Sequence, residues 1–271
     1  MAFKIGFTAE HEENKPQETQ TTEPIHIKPR KSVVRVYFPE RNTSFSYYND
    51  RFDLHCKDNV YVEGKMGNYR GVVTEVNYNF KIKLSEYKRV IGLVDNNVSG
   101  ELHIAGSHLF TTDRNTLSFE KVITWFKAPV NDEDEYESGA DDNEFNINNL
   151  SDMNIDGSIA ERGYKYFIDN RVEYIELDHG KGRAIVSGSE PYVVEFNFKG
   201  GNISGLICSC YCAGACKHEF ATMLQLKDTL DEIAENYKSA DPDAYLAIVE
   251  KSTFMSNALA GKKHGTITIG Y

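Results

Sequence analysis

No stretch of this sequence approaches the run of about 18 apolar residues that a membrane-spanning helix requires. Met1 to Pro16 is mixed and polar and has no apolar core of the kind an export signal carries. These two absences lead to the expectation of a soluble protein in the reducing cytoplasm, without a membrane partner. Catalytic signatures are missing as well: there is no P-loop, no Gly-x-Gly-x-x-Gly behind a strand, no Gly-x-Ser-x-Gly and no His-Glu-x-x-His. The histidines His26, His55, His103, His108, His179 and His264 are scattered. Cys56 follows His55, but neighbours on a strand point to opposite faces, which is wrong for a nucleophile and its base. Paired acids occur mainly in one very polar stretch, where nothing would hold them as a preorganised acid and base. A non-enzymatic protein is expected.

Cysteine is scarce too, five in 271 residues, yet four of the five crowd into nine positions: Cys208, Cys210, Cys212 and Cys216, with His218 two places on. Disulfides need Cα separations of roughly 4.4–6.8 Å, and a Cys-x-Cys pair bridges only with strain. In a reducing compartment such a cluster reads as a metal site, and a thiolate-rich set with one imidazole selects zinc. Five donors compete for four positions. Cys208 and Cys210 follow the apolar stretch Ile203 to Ile207, a strand by its pattern. Cys216 and His218 open a segment in which Phe220, Met223, Leu224 and Lys227 recur at helical spacing. Cys212 lies in the loop between, as a spare thiol or as a replacement for Cys208 or Cys210. Zinc would then tie a strand end to the first turn of a helix. Glu219 reads as an exposed acid favoured by the helix dipole.

The pattern Cys208-x-Cys210, a short loop and Cys216-x-His218 resembles the SWIM zinc finger. Upstream, Ile159-Ala160-Glu161-Arg162-Gly163-Tyr164-Lys165-Tyr166-Phe167 is similar to the helix that opens that module, and Asn170-Arg171-Val172 to its exit. Gly182 to Ser189 and Pro191 to Phe196 are similar to its strand pair. The resemblance covers residues 157–227 and implies Cys208, Cys210, Cys216 and His218 as the ligands of one structural Zn²⁺. It also implies the company of helicase- or nuclease-type assemblies. Cys212 departs from the family pattern.

The formal net charge of −11 conceals two opposite regions. Lys28 to Ile91 holds 13 Lys and Arg against 7 Asp and Glu, whereas residues 131–156 hold 10 acids and no base. Together with the patterning this yields an α+β organisation in five parts. Residues 1–31, Pro- and Gln/Thr-rich, read as a flexible tail, although Phe3, Ile5 and Phe7 alternate like an edge strand. Residues 32–128 read as a basic β-rich domain, similar to small SH3-like barrels of the KOW or Tudor type. Its strands fall at residues 33–38, 44–48, 59–63, 71–76, 80–84 and 102–104, and a short element near Trp125 packs it. Residues 129–156 read as an acidic flexible linker. Residues 157–227 form the zinc module, and 228–271 a helical extension with further helices around Tyr245 to Leu259 and a terminal strand at 266–269.

In the basic domain, cations alternate with Tyr37, Tyr47, Tyr48, Tyr61, Tyr69, Tyr78 and Tyr87, a mixture suited to phosphates and stacked bases. DNA or RNA is the expected partner, with Lys81, Lys83, Lys88 and Arg89 as the contacting residues. The alternative is a protein–protein adaptor in which zinc is purely structural.

Overall fold

The computed structural model describes residues 3–6, 29–129, 144–210, 212, 214–237, 240–259 and 266–270. In chain order the first eight strands are β1 (Phe3–Gly6), β2 (Ser32–Phe38), β3 (Thr43–Asn49), β4 (Asn59–Val62), β5 (Gly71–Asn77), β6 (Val90–Leu93), β7 (Gly100–Ala105) and β8 (His108–Thr111). Helix α1 (Phe119–Val122) precedes β9 (Phe145–Asn146), and α2 (Gly157–Ile168) precedes β10 (Val172–Asp178), β11 (Lys181–Ser187), β12 (Pro191–Lys199) and β13 (Asn202–Cys208). The long helix α3 (Lys217–Asn236), β14 (Tyr245–Glu250), α4 (Lys251–Phe254) and β15 (Thr266–Gly270) complete the order. The fold is mixed α+β and mostly sheet. It divides into a smaller unit, residues 8–95 with 124–132, and a larger one, residues 1–7, 96–123 and 133–271.

The smaller unit is a five-stranded sheet in the order β3-β2-β5-β4-β6. Val34, Val36 and Phe38 alternate inward along β2 and meet Tyr47, Leu54, Val60, Val62, Val73 and Val90 in one core, as the period-two pattern requires. At Gly71 the backbone presses on that core: a Cβ there would sit 2.2 Å from Val36. The expected closed barrel does not form. β3 and the chain entering β6 meet through a single bridge, Tyr48 to Arg89. Residues 80–84, expected as a strand, form none. Leu84 is exposed and starts a 3₁₀ turn, and β6 takes the place beside β4. Alternation assigns faces, but it does not reveal whether a neighbouring edge is free. Trp125 is buried, and its indole N–H donates to the Asp95 carbonyl at 2.6 Å, fastening the residues around it to this unit.

The larger unit carries a ten-stranded sheet in the order β1-β15-β7-β8-β14-β10-β11-β12-β13-β9. Four expectations change here. β7 and β8, read as part of the first domain, belong to this sheet, where β8 pairs with β14. Tyr245 to Glu250, read as helix, is the strand β14, with all six residues buried. A strand covered on both faces is a continuous apolar run, and periodicity cannot tell it from a buried helix. Residues 144–156 are not linker: β9 pairs with β13, and Phe145, Ile147 and Met153 are buried in the core while Glu144, Asp152 and Asp156 face solvent. The acid-rich residues 131–143 lie outside the described residues. Phe3–Gly6 pairs with β15 as an edge strand rather than belonging to a free tail; residues 7–28 lie outside the described residues.

Helix α3 is one helix to Asn236, and it lays Ala221, Met223, Leu226 and Ile233 on strands β10–β13. Helix α2 begins at Asp156, whose carboxylate caps the Ser158 N–H, and packs on the start of α3. The contact is made possible by Gly163: a Cβ there would lie 2.9 Å from both the Lys217 carbonyl oxygen and the Phe220 ring. Gly163→Ala should therefore push the two helices apart and cost about 1–3 kcal/mol as an overpacking substitution, read as a lowered midpoint in thermal unfolding. An unchanged midpoint would show that the helix pair yields without strain.

Candidate metal centre

The antiparallel ladder of β12 and β13 carries Cys208 to the end of its strand, opposite Val194. Pairing continues one residue further. The Ser209 N–H donates to the Val193 carbonyl at 2.9 Å, and the Val193 N–H donates to the Ser209 hydroxyl at 2.9 Å. The chain therefore turns only after Cys210 has been set beside Cys208. Across the loop, Cys216 is the N-cap of α3 and His218 stands in its first turn. A Thr222 hydroxyl donates to the His218 carbonyl at 2.9 Å and braces that turn.

The ligand atoms of Cys208, Cys210, Cys216 and His218 all lie within 4.8 Å of one another. His218 Nδ1 is 3.6 Å from Cys208 Sγ and 3.8 Å from Cys216 Sγ. A tetrahedral ion with bonds of about 2.0–2.3 Å places its donors roughly 3.5–3.8 Å apart. The donor set and its spacing thus fit one four-coordinate metal ion, held through Nδ1. Cys216 and His218 are buried, and Cys208 and Cys210 half-buried. Cys212 is exposed and is not one of the four. A depression lined by Ile159, Arg162, Cys212, Lys217 and His218 lies alongside, between α2 and the loop before α3.

The surroundings set the protonation states. Burial, then the neighbouring Lys217 charge, lowers His218 to about 4, so its imidazole is neutral and ready to ligate. Burial pushes the Cys210 thiol up to about 12. Cys216 is raised first by its hydrogen bond with the Cys208 sulfur and then by burial. A metal entering this site must displace protons.

Three residues that the motif did not single out complete the centre. Tyr192 stacks on His218 at 4.1 Å with the rings 19° from parallel, and Tyr166 meets the same ring edge-on at 5.4 Å. Among the described residues His218 Nε2 is buried without a hydrogen-bond partner, so the two aromatic rings and the contacts of Nδ1 with the Cys208 and Cys216 sulfurs hold the imidazole. Glu219, expected on the surface, is buried. Its carboxylate accepts the Cys216 N–H at 2.7 Å, and its own N–H donates to Cys216 Sγ at 3.4 Å. The S/T-x-x-E form of a capping box is present with cysteine as the cap, and the Cys216-to-Glu219 spacing was its signal.

The cationic residues nominated in the smaller unit are less uniform. Lys81 and Lys88 are exposed, and Lys83 is exposed with its ammonium 3.5 Å from Glu86. Arg89 is committed internally, 2.9 Å from Asp50, with its backbone N–H on the Glu63 carboxylate. Tyr47, Tyr48 and Tyr61 are buried. Tyr69 and Tyr78 carry the guanidinium groups of Arg41 and Arg30 over their rings, at 4.6 and 4.4 Å.

Comparison with protein-family models, with curated proteins and with solved structures finds no match.

Proposed function

We propose that the protein is a non-enzymatic zinc-binding protein whose C-terminal half is a SWIM-type module, and that it engages nucleic acid through the basic smaller unit. The observation that carries the metal reading is the Cys₃His cluster itself, four donors at ligand spacing where β13 meets α3. Four protein ligands leave no open coordination position, which is the arrangement of structural rather than catalytic zinc. The ion would join the strand end to the helix start and hold the loop between them.

The nucleic-acid reading is supported by charge segregation, 13 bases against 7 acids from Lys28 to Ile91 in a chain of net charge −11. Arg35, Arg41, Arg51, Lys57, Lys65 and Lys81 are all exposed. On duplex DNA, log affinity falls with log salt by about 0.9 per phosphate neutralised. Binding is therefore expected at about 50 mM salt and should fade by about 200 mM. Replacing Lys81, Lys83 and Lys88 by glutamate should weaken it and flatten its salt dependence; Arg89 is left in place because Asp50 and Glu63 hold it. Titration of labelled single- and double-stranded DNA and RNA, read by fluorescence anisotropy, decides the matter. Absence of binding to all of them at low salt removes this reading.

A second reading, a protein–protein adaptor stapled by zinc, is favoured by one observation. Three of the tyrosines that would stack on bases are core residues. Failure of the nucleic-acid titration would leave the adaptor in place.

A further inference from the structure

We propose that Glu219 is a positioning residue for the metal: through the helix cap it sets the direction of the Cys216 sulfur. The inference rests on the metal reading above and concerns how this chain prepares the site. Cys216 and Glu219 exchange hydrogen bonds reciprocally, the Cys216 N–H to Glu219 Oε2 at 2.7 Å and the Glu219 N–H to Cys216 Sγ at 3.4 Å. Both residues are buried, 2 % and 6 % exposed.

The placement runs against simple electrostatics. A buried carboxylate beside three thiolates repels the negative charge that metal binding creates, so charge alone argues for its exclusion. What the residue supplies is an acceptor. Without it the Cys216 N–H would be a buried donor lacking a partner, a costly state. The first turn of α3 would then be free to leave the geometry that presents Cys216. His218 follows two residues later in that same turn, so the cap aligns two of the four donors at once. The sulfur bond adds a second constraint: an N–H fixed by the helix occupies one side of Cys216 Sγ and leaves the other for the ion. Partners that orient metal ligands in this way commonly matter 10–100-fold in metal affinity.

The acceptor oxygen and the charge can be separated. Glu219→Gln keeps an oxygen at the position of Oε2 and removes the charge; Glu219→Ala removes both. Full-length protein is titrated with Co²⁺, following thiolate-to-cobalt absorption, and Zn²⁺ affinity is then taken by competition with a chelator. Glu219→Gln should stay within about threefold of wild type, and Glu219→Ala should lose about 10–100-fold, with weakened or shifted cobalt bands. Gln225→Ala, which removes a buried hydrogen bond to Thr229 further along α3, serves as the control for helix stability and should leave affinity unchanged. If Glu219→Ala binds as wild type does, the inference fails while the metal reading stands. Equal losses in Glu219→Gln and Glu219→Ala would assign the effect to charge and overturn it, and an equal loss in Gln225→Ala would reduce it to general helix stability. Wild-type protein that takes up no Co²⁺ would overturn the metal reading, and the inference with it.

Discussion

Purified protein should carry one zinc per chain, and Cys216→Ser should lose it. Cys216 is the donor with most to lose. It is buried, it lies beside Cys208 and His218, and it caps α3. Serine can still cap the helix, so the substitution removes a thiolate while sparing the local fold. Structural zinc in small modules contributes on the order of 10 kcal/mol or more in apparent binding free energy, so its loss should be visible as a large drop in the melting temperature of the larger unit. Chelation should reproduce that drop in the wild type. The emission of Trp125, buried in the smaller unit, provides an internal reference that chelation should not disturb. Cys212→Ser should bind like wild type, because that thiol lies outside the four-donor cluster. Elemental analysis that finds no metal, or full retention in Cys216→Ser, would remove the centre. Loss in Cys212→Ser alone would mean that the ligands are misassigned.

Metal affinity should climb steeply with pH. Cys210, pushed up to about 12 by burial, and Cys216, raised by its bond to the Cys208 sulfur and by burial, keep their protons in the empty site at neutral pH. Each must give up its proton when it ligates. His218, lowered to about 4, contributes no proton above that pH. The sign follows from mass action: uptake releases protons, so raising the pH favours the loaded form. With at least two protons released, log affinity should rise by about two or more per pH unit between about pH 6 and 8. Chelator competition across that range measures the slope. A slope of one or less would mean that the thiols are already ionised before the metal arrives.

The centre was the most legible part of the sequence because its chemistry is local. Cys208, Cys210, Cys216 and His218 span eleven positions, and two elements suffice to bring them together. The contributions of Tyr166 and Tyr192 were not legible, because they come from α2 and β12 and carry no signature beyond an ordinary helical or strand pattern. β12 and β13 could be read locally, from the alternation of Val194, Phe196 and Phe198, the Gly200-Gly201 turn and the apolar run Ile203 to Ile207; β10, buried at five of its seven positions, shows no such period and was not read as a strand. β14 could not: burial on both faces erased its period, and its neighbours β8 and β10 come from distant stretches of chain. Phe145, Ile147 and Met153 were hidden for another reason. They are three apolar side chains in a stretch whose average composition is acidic, and composition has no sensitivity to single anchors. The smaller unit shows the limit of reading strands one at a time. β2, β4 and β5 were placed where they form, but whether the sheet closes depends on how its edges meet.

The position of β14 has a consequence for how the chain is made. His108 on β8 pairs with Glu250 on β14, so the middle of the larger sheet joins segments on the order of 140 residues apart, and synthesis proceeds at about 5–20 residues per second. β8 therefore waits roughly ten seconds or more for its partner, and β10, on the far side of β14, waits about half as long. During that interval the nascent chain displays two unpaired strand edges, β8 with Leu109 and Phe110 and β10 with Val172, Ile175 and Leu177, which are templates for mispairing with other chains. The smaller sheet, β2 to β6, lies within a single continuous stretch, and the residues around Trp125 that pack on its unit follow about thirty positions after β6. The smaller sheet can thus pair as soon as it is made, whereas the larger one stays open in its middle until β14 arrives.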